Sequence, residues 1–261
     1  MPQPPDIKPP SQRRQPSGAT THFGFQSVAE DDKASLVGAV FDSVAPRYDL
    51  MNDLMSIGIH RLWKAALMDR LYPRPRMRLL DVGGGTGDIA TRFRMRGGGH
   101  VTVLDINKEM LAIGRDRAIN LGLLDGIAWV SGDAERLPME DSSVDAYTTA
   151  FCIRNVTHVE RALREARRVL RPGGQFLCLE FSRVALPLLD RLYDAYSFHL
   201  LPALGQMVAG DRQAYVYLVE SIRRFPPREA FAAMIAEAGL DRVQASNLSG
   251  GIAAIHSAWR I

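Results

Sequence analysis

Short apolar runs alternate with amphipathic segments through the middle of the chain. The runs that predict buried strands are residues 78–83, 100–107, 127–134, 144–155 and 174–182. The segments that predict helices are residues 88–97, 108–122 and 158–170. The last of these helices is followed by Arg-Pro-Gly-Gly, which is typical of a helix stop. This alternation predicts an α/β fold with a mostly parallel sheet and helices on both faces.

The flanking regions follow other patterns. Residues 34–72 have helical spacing, with breaks near Pro46 and Gly58, whereas residues 183–225 are rich in Leu, Tyr, Phe and Met and predict a helical insertion. A helix at 226–240 and strands near 242–248 and 252–260 would complete a seven-stranded sheet. The predicted organisation is a disordered Pro-rich tail (1–20), an N-terminal helical cap (21–74), the core (75–182), a lid (183–225), and the last helix and strands (226–261).

Composition and charge narrow the class of protein. The chain has 261 residues, of which 46% are hydrophobic and 23% charged, so it is globular. Its net charge is +3, and because two of these charges lie in the tail, a large nucleic-acid-binding face is not expected. No apolar run reaches the roughly 20 residues of a transmembrane helix. Cys152 and Cys178 lie in apolar runs and are expected to be buried thiols rather than a disulfide.

The tail lacks the apolar centre of a secretory signal. Its two arginines leave a mitochondrial presequence open, although its prolines and its Asp would make a poor amphipathic helix.

A glycine-rich loop, LLDVGGGTGD (79–88), joins the first predicted core strand to its helix. Its glycines allow close approach to a ligand and offer N–H donors at a helix N-terminus. In a dinucleotide fingerprint, G-x-G-x-x-G, the sixth residue counted from Gly83 would be glycine, but Asp88 stands there. No Gly-Lys-Ser/Thr of a P-loop follows either. What remains is Asp81 followed by G-x-G-x-G, which resembles motif I of the class I S-adenosylmethionine-dependent methyltransferases.

The residues at the ends of the second and third predicted strands support this resemblance. Asp105 ends the second strand, where a carboxylate can accept both ribose hydroxyls, as it would also in an NAD enzyme. The third strand is followed by SGDAERLP, which looks like the adenine-contacting segment of these methyltransferases. Taken singly, Asp81 could cap local amides and Asp105 could be a solvated strand end; their common register with the glycine loop favours function. The resemblance implies S-adenosylmethionine as cofactor, bound by Asp81, Gly83, Gly85, Thr86, Gly87, Asp105, Ile106, Asp133, Ala134 and Ala150.

Two longer motifs narrow the resemblance. The segment YDLMNDLMSIGIHRLW (48–63) resembles the first motif of the family that C-methylates quinol rings in ubiquinone and menaquinone biosynthesis. The segment RVLRPGGQFLCLEFS (168–182) resembles its second motif, with Arg171 in place of the usual Lys. Shorter segments at 21–28, 153–156 and 224–231 agree, so the resemblance extends from about Thr21 to the C-terminus.

The resemblance implies methyl transfer from S-adenosylmethionine to a ring carbon of a polyprenyl benzoquinol or naphthoquinol. Arg154 is expected to stabilise or generate the phenolate, and Asn155 to orient a ring oxygen; alternatively, Arg154 pairs with an acidic residue such as Glu160. The expected catalytic residues are Arg154, Asn155 and Tyr48, and the expected substrate contacts are Tyr48, Asn52, Arg154, Tyr193 and Tyr196. No metal is expected.

Two segments carry alternatives. Helical periodicity alone predicts that the face bearing Asn52 and Ser56 is solvated, whereas the resemblance suggests that Tyr48 and Asn52 close over the cofactor and quinol. His60 and Trp63 are expected to anchor the next helix. The segment 183–210 is either a quinol lid that touches the membrane or a packed core or dimer face.

Other functions remain open at this point. They are another class I methyltransferase that acts on a small apolar molecule, an NAD-type oxidoreductase, and an assembly role without catalysis. The expected partners are the polyprenyl quinol, with transient contact to a membrane surface or a quinone-biosynthesis complex, and a homodimer. Nucleic acid is not expected, because no Asn-Pro-Pro-Tyr tetrad follows the fourth strand. The expected location is the bacterial cytoplasm at the inner membrane, or the matrix face of the mitochondrial inner membrane.

Overall fold

The computed structural model describes residues 18–44, 50, 52–53, 56, 58–182 and 212–261. Tyr48, Tyr193 and Tyr196, together with most of the predicted lid and nearly all of the predicted tail, lie outside these residues. The predictions made for them therefore remain predictions.

The described strands form a hairpin and one large sheet. The hairpin consists of β1 (Thr20–Phe23) and β2 (Gln26–Ala29). The strands of the sheet are β3 (Arg78–Val82), β4 (His100–Asp105), β5 (Ile127–Ser131), β6 (Val144–Ala150), β7 (Leu170–Phe181), β8 (Asp241–Leu248) and β9 (Ala253–Trp259). Their order across the sheet is β5-β4-β3-β6-β7-β9-β8. Strands β3 to β7 pair in parallel and β9 is antiparallel to both of its neighbours, which confirms the predicted seven-stranded, mostly parallel sheet.

Helices cover both faces of this sheet. They are α1 (Glu30–Val44), α2 (His60–Leu71), α3 (Asp88–Met95), α4 (Lys108–Asn120), α5 (Val159–Val169), α6 (Arg212–Arg224) and α7 (Arg228–Glu237). Adjacent residues of a strand point to opposite faces, so Leu79 packs in the core formed with α2, α3 and α6, and Leu80 in the core formed with α5 and α7. Within the described part of the chain, no helix is long and apolar enough to cross a bilayer.

Strand β6 is shorter than the predicted strand at 144–155. It ends at Ala150, and residues Ile153–Asn155 form a 3-10 turn. The cause is Phe151, whose φ of 58° takes the backbone out of the extended conformation. The turn re-aims the side chains that follow β6 at the carboxyl edge of the sheet.

Strand β7 is longer than predicted, because it starts at Leu170 directly after α5. Arg-Pro-Gly-Gly does stop the helix, as expected. However, the same residues continue as the beginning of the strand, with Leu170 paired to Val144 and a register irregularity after it.

The hairpin β1–β2 was not predicted and lies in the region expected to be helical. Phe23 pairs with Gln26 across a two-residue connection. Two strands of this length are marginal alone, and contacts with α6 support them. The ring of Phe23 stacks on Tyr217 at 4.2 Å between centroids, and the amide of Phe25 donates to the Glu220 carboxylate at 2.9 Å.

Two polar side chains of the segment 48–63 that periodicity alone assigned to solvent are buried. Asn52 and Ser56 are both 4% exposed, whereas Leu50 is 41% exposed. The Ser56 hydroxyl donates to the Asn52 carbonyl at 2.7 Å and accepts from the amide of His60 at 3.2 Å. The solvated interpretation is therefore wrong for these two residues. Local hydrogen bonds satisfy the buried Ser56 hydroxyl, whereas the Asn52 side-chain nitrogen has no partner among the described residues.

His60 and Trp63 anchor α2, as expected. The Trp63 indole N–H donates to the Ser249 hydroxyl at 2.9 Å, and His60 contacts the Asp53 carboxylate at 3.1 Å. Burial lowers the pKa of His60 to about 4, so the imidazole is neutral at physiological pH.

Leu80→Ala tests the two-faced core. Leu80 is fully buried in β3, and the substitution should lower the free energy of unfolding by about 2–5 kcal/mol, because it removes buried methyl groups and leaves a cavity. Urea unfolding measures this change. Leu124→Ala is the control, since Leu124 is 73% exposed and its loss should change stability by less than about 0.5 kcal/mol. Equal effects at the two positions would contradict the assignment.

Candidate active site

A cleft of about 890 Å³, open to solvent, lies at the carboxyl edge of the sheet. Four strand ends and helix α1 form its walls. The residues that line it are Ala34, Val37, Gly38, Phe41, Val82, Gly83, Gly85, Leu104, Asp105, Ile106, Asn107, Met110, Gly132, Asp133, Ala134, Glu135, Phe151, Cys152, Asn155, Val156 and Thr157. Ligand clefts of α/β sheets occupy this edge, because the strand-to-helix loops converge there.

Glycine is required in the loop between β3 and α3. At Gly83, φ is +64°, and a Cβ would overlap the side chain of Cys152. At Gly87, φ is +73°, and a Cβ would overlap the ring of Trp129. The backbone thus packs tightly against Trp129 of β5 and against Cys152 after β6, an approach and a conformation that only glycine allows.

Asp105 joins the glycine loop to the loop after β4. One carboxylate oxygen accepts the amide of Gly85 and the other accepts the amide of Asn107, each at 2.8 Å. Burial raises the pKa of Asp105, and the backbone hydrogen bonds oppose that rise. Each oxygen retains a second lone pair, so the carboxylate can still accept hydroxyls such as those of a ribose.

Asp81 lies directly before the glycines and is 1% exposed. One oxygen accepts the Thr148 hydroxyl at 2.8 Å, while the other has no hydrogen-bond partner among the described residues. Burial raises the pKa of this carboxyl to about 7. A buried acceptor of this kind favours a cationic ligand group near the loop, and S-adenosylmethionine carries both an ammonium and a sulfonium.

The opposite end of the cleft suits a nucleoside base. Ile106, which is 51% exposed, lines the cleft together with Asp133 and Ala134. One oxygen of Asp133 accepts the amide of Glu135 at 2.8 Å, which fixes the turn. An apolar rim residue, a carboxylate and a nearby backbone amide match the requirements of adenine.

Several predicted cofactor residues stand behind the cleft. Asp81, Thr86, Gly87 and Ala150 are not among the described residues that line it. Thr86 is buried, and its hydroxyl accepts from Arg117 at 3.4 Å. Thr86 and Gly87 therefore belong to the structural part of the loop.

Helix α1 forms a wall of the cleft that sequence reasoning missed. Ala34, Val37, Gly38 and Phe41 face the cavity. Their spacing of i, i+3, i+4 and i+7 marks one face of a helix. That signal was present in the sequence, but nothing in it showed what the face covers.

Polar contacts at both ends tie α1 to the sheet. Near its N-terminus, the ammonium of buried Lys33 donates to the Val156 carbonyl at 2.9 Å. His158 lies between two carboxylates, 3.2 Å from Glu30 and 2.8 Å from Glu135.

Near its C-terminus, α1 is tied by a side-chain hydrogen bond to Asn107. The side-chain NH₂ group of Asn107 donates to the carboxylate of Asp42 in α1 at 2.6 Å. The side-chain oxygen of Asn107 caps α4 by accepting the backbone amide of Met110 at 3.0 Å. Asn107 therefore links α1, α4 and the Asp105 carboxylate.

Arg154 and Asn155 follow β6 but occupy different surroundings. Asn155 lines the cleft, and its side-chain oxygen accepts from the Tyr217 hydroxyl at 3.0 Å. Arg154 does not line it, within the described residues, and forms a buried ion pair with Glu180 at 2.8 Å. Arg154 thus pairs with an acidic residue, as in the alternative interpretation, but the partner is Glu180 of β7 and not the helix residue Glu160.

Cys152 and Cys178 are both free thiols, as expected. Cys152 lines the cleft, and burial raises its pKa. The thiol therefore stays protonated and is a poor nucleophile. No group of three metal-ligating side chains occurs in the described residues.

The family follows from comparison with known proteins. A model of the ubiE/COQ5 methyltransferase family matches residues 26–260. The chain belongs to this family. It is 60% identical to the ubiquinone/menaquinone biosynthesis C-methyltransferase UbiE of Paracoccus denitrificans, over 92% of this chain and 97% of the relative. It is 52% identical to the mitochondrial 2-methoxy-6-polyprenyl-1,4-benzoquinol methylase of Danio rerio, over 94% of this chain and 85% of the relative.

Solved structures show the same fold. A SAM-dependent methyltransferase from Thermotoga maritima superposes with a TM-score of 0.63 at 20% identity, over 86% of this chain and 100% of that chain. The class I methyltransferase fold is thereby confirmed, and the cofactor of this methyltransferase is S-adenosylmethionine. Asp105 and the glycine loop line the cleft and suit its ribose, whereas the carboxylate of Asp81 is buried behind the loop.

Asp81→Asn should remove a pH-dependent loss of stability. The folded pKa of about 7 exceeds the usual 3.8, so Asp81 is protonated in both states at low pH, and stability falls as pH rises from about 4 to about 7, where the unfolded chain has lost this proton and the folded protein still holds it. Without cofactor, the variant should gain up to about 4 kcal/mol over the wild type between pH 4 and pH 8. Urea unfolding across this range measures the difference. Exposed Asp125→Asn is the control, and a pH-independent difference for Asp81→Asn would refute the assignment.

Asn107→Asp should weaken S-adenosylmethionine binding by about tenfold, which corresponds to the loss of one hydrogen bond. Asp caps a helix as well as Asn does, so α4 is retained while two carboxylates now face each other at Asp42. Adding Asp42→Asn exchanges donor and acceptor and should restore affinity. Calorimetric titration measures the three variants. If the double variant binds S-adenosylmethionine no better than Asn107→Asp does, the Asn107–Asp42 hydrogen bond has no role in cofactor binding.

Proposed function

We propose that this enzyme transfers the methyl group of S-adenosylmethionine to a ring carbon of a polyprenyl benzoquinol or naphthoquinol in ubiquinone or menaquinone biosynthesis. The observation that carries this proposal is the identity of 60% over nearly full length to a relative named for that reaction. The cleft supports it, because a side-chain amide at Asn155 lies next to the loop expected to hold the cofactor.

The chemistry requires the reduced ring. An aromatic carbon is a weak nucleophile, and a phenolate oxygen raises the electron density at the ortho carbon. That carbon attacks the sulfonium methyl group, so a C–C bond forms as the C–S bond breaks and the electron pair remains on sulfur. The ring proton then leaves and aromaticity returns. The enzyme mainly positions the two reactants and excludes water.

Asn155 is our candidate for the group that orients the ring oxygen. Its side chain reaches the cleft from the turn that ends β6. Tyr48, Asn52, Tyr193 and Tyr196 remain proposed substrate contacts. Among these, Asn52 is buried, with a side-chain nitrogen that has no hydrogen-bond partner in the described chain.

Arg154 contributes to the electrostatics of the site as part of an ion pair and not as an unpaired cation. Its guanidinium donates to Glu180 at 2.8 Å and lies 5.6 Å from the centre of the Phe181 ring. Because a guanidinium stays protonated, we propose that the Arg154–Glu180 pair stabilises the phenolate and that Arg154 does not itself act as a base.

The location and partners belong to the same proposal. A polyprenyl substrate resides in a membrane, so we propose peripheral contact with the bacterial inner membrane or its mitochondrial counterpart, through the segment 183–210. A homodimer or a quinone-biosynthesis complex is compatible with this arrangement.

Incubation of the purified enzyme with S-adenosylmethionine and a reduced short-chain demethylated quinol tests the reaction. We expect one C-methylated product by mass spectrometry, with one S-adenosylhomocysteine per turnover, and no product from the oxidised quinone. Gly85→Arg should abolish both cofactor binding and turnover, because φ is +52° and a Cβ would already lie 3.1 Å from Met110.

Gly18→Arg is the matched control, since no atom lies within 4 Å of the added Cβ. Normal binding of S-adenosylmethionine without methylation of any demethylated benzoquinol or naphthoquinol would show that the proposed acceptor is wrong.

A further inference from the structure

We propose that Tyr217 is a positioning residue that fixes the side-chain amide of Asn155, so that its NH₂ group faces the cleft as a hydrogen-bond donor to the quinol oxygen. This inference rests on the proposed function, because it assigns a task to Asn155 in binding the acceptor. Neither the family's glycine loop nor its strand-end carboxylates take part in it.

The contact is buried and short. The Tyr217 hydroxyl lies 3.0 Å from the side-chain oxygen of Asn155, and the two residues are 4% and 9% exposed. Asn155 lines the cleft, whereas Tyr217 reaches it from α6 behind the wall. The backbone of Asn155 is fixed separately, since its amide donates to the Cys152 carbonyl at 2.8 Å.

The direction of this hydrogen bond follows from the donors and acceptors available. Burial raises the pKa of Tyr217, so its hydroxyl keeps its proton. In the described chain, the Asn155 side-chain oxygen is the only hydrogen-bond partner of that hydroxyl. If the amide were reversed, Asn155 would donate and the buried hydroxyl proton would have no acceptor, which is costly. The hydroxyl therefore donates, and the NH₂ group of Asn155 remains available.

The orientation matters for the reaction because the acceptor's oxygen gains negative charge as it activates the ring. An N–H donor stabilises that charge, whereas the carbonyl oxygen of a reversed amide would repel it. Fixing the amide in advance means that no reorganisation is needed when the quinol binds.

Helix α6 also positions the guanidinium of Arg154. Ser221 lies one turn beyond Tyr217, and its hydroxyl accepts from the Arg154 guanidinium at 3.3 Å. The ring of Phe23 stacks on the ring of Tyr217, with 4.2 Å between the ring centroids and an interplanar angle of 17°. The N-terminal hairpin thus acts on Asn155 through Tyr217, which gives a role to the segment THFGFQSV.

Tyr217→Phe removes only the hydroxyl and keeps the stack on Phe23. We expect kcat/KM for the short-chain quinol to fall about tenfold, the loss associated with one hydrogen bond, with an unchanged Kd for S-adenosylmethionine. Asn155→Ala should reduce kcat/KM at least as much. In the double variant, Tyr217→Phe should add nothing further, because its effect passes through Asn155.

Tyr147→Phe is the matched control. Tyr147 is fully buried and stacks on Phe176, and its hydroxyl has no hydrogen-bond partner within the described residues. Loss of that hydroxyl should leave kcat/KM unchanged. Additive effects of Tyr217→Phe and Asn155→Ala, or wild-type kinetics for Tyr217→Phe in an enzyme that methylates the quinol, would overturn the proposal.

A second measurement is independent of turnover. In ¹H–¹⁵N spectra, the side-chain NH₂ resonances of Asn155 are identified by their loss in Asn155→Ala. They should shift in Tyr217→Phe and stay in place in Tyr147→Phe. If Tyr217→Phe leaves these resonances in place, the role of Tyr217 is rejected. If Tyr217→Phe shifts them but the wild-type enzyme methylates no quinol, the positioning contact stands and the proposed acceptor is wrong.

Discussion

The carboxylate of Asp105 holds together the two backbone turns that shape the cleft. Its oxygens accept the amides of Gly85 and Asn107, so the glycine loop and the N-terminus of α4 keep a fixed separation. A charged acceptor with two backbone donors is among the stronger hydrogen-bonded arrangements in proteins. The same carboxylate keeps lone pairs for the ribose, and cofactor binding and loop geometry therefore share one group.

Buried charge is compensated differently in the two halves of the site. Behind the expected acceptor position, Arg154 and Glu180 neutralise each other, and removal of either partner would leave an uncompensated charge. On the cofactor side, Asp81 forms no ion pair within the described residues, and burial raises its pKa to about 7, against the opposing field of Lys64. A cation bound beyond the glycine loop would favour the charged form of this carboxylate through space, and S-adenosylmethionine carries two cationic groups.

Elements outside the sheet determine how the cleft is closed. Helix α1 covers it and is held at one end by Lys33 and at the other by Asn107. Helix α6 supports Asn155 and Arg154 from behind, and the hairpin stacks on α6. The N-terminal region and the region after β7 thus meet at the residues assigned to the acceptor, although they are distant in the chain.

The sequence by itself determined the sheet, the glycine loop and the strand-end carboxylates, because apolar runs and the residues that end them are local signals. Asp105 and Asp133 could be assigned for this reason. It did not determine the end of β6 at Phe151, the burial of Asn52 and Ser56, or the partner of Arg154. Only the tertiary structure decided that Glu180 pairs with Arg154, that α1 covers the cofactor cleft and that Tyr217 holds Asn155. Each of these contacts joins residues far apart in the chain, and helical or strand periodicity states which face is apolar but not what that face will meet.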